Sequence, residues 1–136
     1  MVSPYEDVLA WTAAHLPAQP VIDDSGVPLQ CVPYARDVSG VRIWGDAVTW
    51  WDQADGLYAR SSRPAPGSVL ALRGWNDDKR GHVAVVTQML ADRVLLVDHA
   101  NWLKRGEITL NVPVIDVSPA NDWSEVRVWH IPGGHW

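Results

Sequence analysis

The stretch "GHVAVVTQMLADRVLLVDHANW", Gly81 to Trp102, decides the fold class. It contains two short runs rich in valine and leucine, "HVAVVTQML" and "RVLLVDH", joined by the turn "ADR". Such runs, bounded by turn residues, read as strands, and two of them in succession read as an antiparallel hairpin. His82 opens the first strand directly after a polar loop, and His99 ends the second. The hairpin therefore predicts that the mouth of one strand and the end of its partner lie side by side.

Outward from the hairpin, "VLALR" precedes it, and "EITLNVPVIDV" and "EVRVWHI" follow. These also read as strands of an antiparallel sheet. The N-terminal half has a different pattern. Residues 3–16 read as a helix: Ser3 is a good N-cap, Pro4 suits the first helical position, and Glu6 completes a capping box. Val8, Leu9, Ala13 and Leu16 share its apolar face. Residues 20–29 read as a loop.

Residues 30–39 read as a second helix. Pro33 is tolerated only in the first turn, which places Cys31 at or near the helix start. Gly40 is a natural stop. A third helix is expected from Asp46, as N-cap, to about Asp55, with Gly56 after its end. "SSRPAPGS", Ser61 to Ser68, is a proline-punctuated loop. Helices first and strands after is the pattern of an α+β domain. The length of 136 residues fits one such domain, residues 1–136.

Apolar residues are 47% and charged residues 20% of the chain, a globular balance. Net charge is -5. A nucleic-acid binder usually carries a basic stripe, and the nearest thing here, "DDKR" at Asp77–Arg80, neutralises itself. No apolar run approaches the roughly 18 residues of a membrane span. Nucleic acid and membrane are therefore not expected as partners. The start "MVSPYEDVLAW" shows no secretory signal.

The chain has nine tryptophans and no phenylalanine. The bland reading is that tryptophan fills the core. Trp50 and Trp51 are adjacent, however, and cannot both face it, so one reading has some tryptophans lining a groove.

Cys31 is the only cysteine. It excludes an internal disulfide and any multi-cysteine zinc site. No histidine pair has metal-ligand spacing, and no metal or cofactor is implied. The bland reading of a lone cysteine is a buried filler thiol. Against it stands the helix start, where the macrodipole and unpaired N–H groups lower a thiol pKa and can hold an oxyanion. A cysteine nucleophile also needs a histidine held by a third polar group. Of the five histidines, His15 lies near a helix end, and His130 and His135 near the C-terminus. His82 is the one placed to reach from a sheet towards a helix start.

Together "QCVPYAR", "PAPGSVLAL", "GHVAVV" and "VLLVDHANW" resemble the CHAP family, the cysteine- and histidine-dependent amidohydrolases and peptidases. Four motifs in order, over residues 27 to 102, carry the resemblance. It implies a papain-like fold, with a cysteine-bearing helix packed on a histidine-bearing sheet. It implies Cys31 as nucleophile and His82 as general base, whose imidazolium would favour the thiolate at pH 6. Gln30 would help form the oxyanion hole, and Asn101 and Trp102 match the family's Asn-Trp pair. Trp50, Trp51 and Trp102 become candidates to line the cleft. The implied substrates are amide bonds of peptidoglycan, in the stem peptide, the cross-bridge or the N-acetylmuramoyl-alanine link. The implied enzyme is a monomer of the cell envelope, periplasmic or secreted.

One departure concerns the third catalytic member. The family's acidic residue and its asparagine are two apart, so they share a strand face. In "VLLVDHANW" only His99 keeps that relation to Asn101, which favours His99 as the residue that orients His82. Asp98 is the alternative, because a carboxylate stabilises an imidazolium better and a bulge can switch faces. Two other functional readings stand beside the enzyme on peptidoglycan. One is a non-catalytic wall-binding or partner-binding module. The other is an amidase on a non-wall substrate, glutathionylspermidine-like or protein, with a secreted toxin as one form of it.

Overall fold

A computed structural model describes residues 11–12, 14–17, 20–23, 31–72, 81–100 and 108–129, with the side chains of 21–23, 31 and 32 outside the description. Six strands form one antiparallel sheet: β1 Val21–Asp23, β2 Val69–Leu72, β3 His82–Ala91, β4 Val94–Ala100, β5 Ile108–Asp116 and β6 Val126–Val128. Their order is β1-β5-β4-β3-β2. β6 pairs with β5 along Val114–Asp116, and β1 pairs with it along Ile108–Leu110. Few and short helices accompany the sheet, so the class is α+β.

The expected hairpin is the centre of this sheet. β3 and β4 are joined at Asp92 and Arg93, with Ala91 opposite Val94. β3 gains an extra residue against β4 twice, between Val86 and Gln88 and between Met89 and Ala91. Bulges of this kind increase local twist and curl the sheet.

Both faces of the hairpin are covered, which explains its nearly unbroken apolar sequence. Val83 and Val85 pack with Ala35, Ile43, Ala47 and Trp50. Ala84 and Val86 alternate with them and pack with Leu95, Val97, Val112 and Val114. Burying each such valine or leucine contributes about 1.5–3 kcal/mol. Trp123 and Trp129 close over this second cluster. Trp11, from a helical segment at residues 11–12 and 14–15, packs against a third cluster of Val94, Ile115 and Val117.

The helix Cys31–Ser39 packs against β3 and β4. Gly40 ends it as expected: at φ +77 its N–H donates to Arg36 O at 3.0 Å. Arg36 then reaches the following link, donating to Ile43 O at 3.3 Å and lying over the Trp44 ring at 4.8 Å.

Two expectations need correction. Residues 20–29 are not all loop, because Val21–Asp23 pairs with β5. Three residues are too few to show a strand period, and their partner lies far along the chain. The third helix is also shorter than Asp46–Asp55. It is a 3-10 turn, Ala47–Thr49, followed by Trp50–Gln53. Asp46 makes no side-chain cap; instead the Thr49 hydroxyl donates to Asp46 O at 2.6 Å. Adjacent β-branched Val48 and Thr49 favour this tighter turn over a regular helix. Of the expected helix 3–16, residues 3–10 lie outside the described residues.

Candidate active site

Gly81 sets the entry to β3. Its φ is +66, and an added Cβ would meet Leu72 O and Val48 N, each at 2.7 Å. Only glycine fits so close to two backbones. The next residue, His82, is thereby fixed at the strand mouth beside β2, opposite Leu72.

Across β3 and β4 the register pairs Val85 with Asp98. Continued by one step, it sets Ala84 opposite His99 and leaves His82 on the diagonal. Diagonal residues share a face and are within reach of long or aromatic side chains. Ala84 stands between the two histidines on that face, and its single methyl leaves room for both rings. His82 Nε2 and His99 Nδ1 meet at 2.8 Å. The rings are edge to face, with centroids 5.0 Å apart. Both are buried, at 6% and 1% exposure.

Burial lowers the pKa of His82 from 6.5 to about 4. It also holds His99 well below the ordinary value, with the His82 charge acting in the same direction. The pair is therefore neutral at pH 6 and above. This departs from the expectation of an imidazolium on His82 at pH 6: with two buried neutral rings, a proton is accepted only as negative charge appears beside it. One ring must donate in the 2.8 Å contact and the other accept.

Asp98 is engaged elsewhere. Val97 pairs with Val112 and His99 with Thr109, so β5 carries one extra residue here. Asn111 adopts φ 58 in this bulge, and its N–H donates to Asp98 Oδ1 at 2.8 Å. Burial raises the Asp98 pKa, and the Asn111 N–H opposes that rise. Asp98 caps the bulge, and His99 is the neighbour of His82 that bonds it.

Cys31 is the first residue of its helix, and that helix lies on the two strands that carry His82 and His99. Gln30, Asn101 and Trp102 lie outside the described residues. Trp50 is a core side chain at 2% exposure, its indole N–H donating to Gly45 O at 3.3 Å. Trp51 is half exposed with the Arg60 guanidinium over its ring at 5.2 Å. Both border a cavity of about 650 Å³ whose other walls include Tyr58, Arg63 and Trp123. Neither His82 nor His99 is among its described lining residues. His15 is structural: it stacks on Trp11 with centroids 4.3 Å apart, and its Nδ1–H donates to Trp11 O at 2.7 Å. His130 and His135 lie outside the described residues.

The model of the CHAP domain matches residues 22–101. The chain belongs to the CHAP domain family. No curated protein and no solved structure matches it. CHAP domains are amidases or peptidases that act on peptidoglycan, and the matched span contains Cys31, His82 and His99. Among the described residues no helix is long and apolar enough to cross a membrane.

Of the two residues beside His99, Ala84 lies within the "GHVAVV" motif and Thr109 in none. Ala84 and Thr109 become neighbours of His99 only through register, and the Thr109 pairing depends on the bulge at Asn111.

Proposed function

We propose that this CHAP domain is a papain-like, cysteine-dependent hydrolase of peptidoglycan amide bonds, working through a thioester, with residues 1–136 as one catalytic unit. The observation that carries the reading is the 2.8 Å contact of His82 Nε2 with His99 Nδ1, on strands packed against the helix that begins at Cys31. A buried histidine held at Nε2 presents Nδ1 as the nitrogen for proton transfer.

Neutral His82 takes the Cys31 thiol proton as the sulfur attacks the amide carbonyl. Backbone N–H groups at the helix start, with Gln30, stabilise the tetrahedral oxyanion. The imidazolium formed on His82 protonates the leaving nitrogen as the C–N bond breaks. Neutral His82 then takes a proton from water, which attacks the thioester. Collapse releases the carboxylic acid, and the proton on His82 returns to the sulfur. His99 keeps His82 in one orientation throughout. Trp102 is a candidate wall of the cleft, and Asn101 a further positioning group. The bonds proposed are those of the stem peptide, the cross-bridge or the N-acetylmuramoyl-alanine link, met by a monomeric enzyme in the cell envelope or outside it.

Iodoacetamide tests the nucleophile. One equivalent on Cys31, identified by mass spectrometry, should abolish release of new amino groups from purified peptidoglycan. A fully alkylated protein that still releases them would refute the thioester route.

A further inference from the structure

β2 ends the sheet on its side and pairs with β3 alone. Just before it, Val86 N–H donates to Ser68 O at 2.9 Å and Gly67 N–H to Val86 O at 2.7 Å. Antiparallel bonding alternates from there, so Leu70 and Leu72 bond inward, to Ala84 and His82. The N–H and C=O of Val69 and Ala71 therefore point outward from the sheet edge. Among the described residues nothing bonds them there. Unpaired edge groups of this kind are a template for a further strand.

This edge borders the cavity of about 650 Å³, whose walls include Val69, Ala71 and residues 58–64. Ligand pockets commonly measure about 300–1,000 Å³. A second cavity of about 660 Å³ shares Ser62, Arg63, Pro64 and Trp123 with the first, so the groove continues past that loop. An elongated groove along a strand edge suits an extended chain. Trp51 is half exposed on one wall, and Trp123 forms another. Trp123 sits at φ 61, a costly conformation for a bulky side chain, which its loop maintains.

The walls carry Arg60 and Arg63 against a single carboxylate, Asp122, in a chain of net charge -5. Arg60 pairs with exposed Asp55 at 3.3 Å. Arg63 has no ion pair among the described residues. A second copy of the chain is a poor occupant. Pairing two β2 edges would bring both arginine loops together, and "VLAL" offers them no carboxylate.

We propose that this groove binds an extended, acidic segment of a partner protein, which adds to β2 as a strand. Its main chain bonds Val69 and Ala71, its carboxylates meet Arg63 and Arg60, and its apolar side chains lie against Trp51 and Trp123. Neither His82 nor His99 is among the described walls, so the groove is distinct from the histidine pair.

The test titrates a capped hexapeptide of alternating glutamate and valine into the ¹⁵N-labelled full chain at pH 7. In the free protein, amide exchange should be fast at Val69 and Ala71 and slow at Leu70 and Leu72. The peptide should shift and protect Val69 and Ala71. Methylating the peptide nitrogens that face β2 should weaken binding about tenfold or more, through lost strand bonds. Ala71→Pro, which removes an outward N–H and no inward bond, should weaken it likewise. The methylated peptide carries that test alone if the proline variant does not fold. Arg63→Glu should weaken binding of the glutamate peptide about tenfold and strengthen that of a lysine–valine peptide. Absence of saturable shifts at Val69 and Ala71, or equal binding of acidic and basic peptides, would overturn the proposal. A disaccharide–peptide fragment of peptidoglycan that shifts these two residues where the acidic peptide does not would also overturn it, and would make the edge a substrate subsite. None of these measurements needs turnover, so the groove is decided separately from the functional reading above.

Discussion

His82 Nε2 lies 2.8 Å from His99 Nδ1, although the two residues are separated by a complete hairpin. Asp98, the carboxylate next to His99, bonds Asn111 instead. Replacing each residue separates their roles. His99→Ala should lower turnover by about 10²–10³-fold through loss of orientation of His82. Asp98→Ala should act mainly on stability, by about 1 kcal/mol for the lost bulge cap, with turnover nearly kept. Steady-state kinetics beside urea denaturation would show this, and the reverse ranking would make Asp98 the orienter.

The histidine pair also makes stability depend on pH. His82 has a folded pKa of about 4 against an ordinary value of 6.5, so between these values the unfolded chain binds more protons. Stability is therefore fully present above pH 6.5 and lost as pH falls towards 4, by about 3 kcal/mol for His82 alone. His99 adds loss in the same direction. Asp98, with its pKa raised, has the opposite sign and offsets a little of it. Urea midpoints at pH 7.5 and pH 4.5 measure the difference, and His82→Gln should reduce it. Equal midpoints in the wild type would contradict a buried neutral pair.

Ala84 is predicted to be a size limit for the site. It is 1% exposed and stands opposite His99 by register. Ala84→Leu should cost about 1–3 kcal/mol by overpacking and push the rings apart, so that activity falls even where the variant folds. Ala84→Gly should retain more activity than Ala84→Leu. Thermal melts and initial rates for the two variants check the order.

Gly81→Ala should be among the costlier single-methyl changes in the chain. The φ of +66 and the 2.7 Å approaches to Leu72 O and Val48 N leave no room for a Cβ. A loss of about 2 kcal/mol or more is expected, with displacement of His82 and reduced turnover. A variant as stable and as active as the wild type would show that the entry to β3 is not fixed as described.

The hairpin is legible in the sequence because a short valine- and leucine-rich run bounded by turn residues is a local signal. "GHVAVV" and "VLLVDH" are such runs, and the resemblance to the family, whose acidic residue and asparagine are two apart, favours His99. Cys31 at a helix start is equally legible from Pro33 and Gly40. What the sequence hides is set by register. β1 is three residues whose partner lies more than eighty positions away. The bulge at Asn111 arises from pairing between strands, and with it come the Asp98 cap and the Thr109 neighbour. The charge state of His82 does not follow from its motif, because burial sets it. Trp50 and Trp51 divide between core and surface as their adjacency requires, but their cavity has neither histidine of the pair among its described walls.

The most direct test of the central claim is hydrolysis of purified peptidoglycan by wild type and Cys31→Ala, followed by the appearance of new amino groups. The account predicts steady release by the wild type and none above background by Cys31→Ala, with thermal midpoints that agree closely. Release by Cys31→Ala at the wild-type rate would show that the sulfur is not the nucleophile.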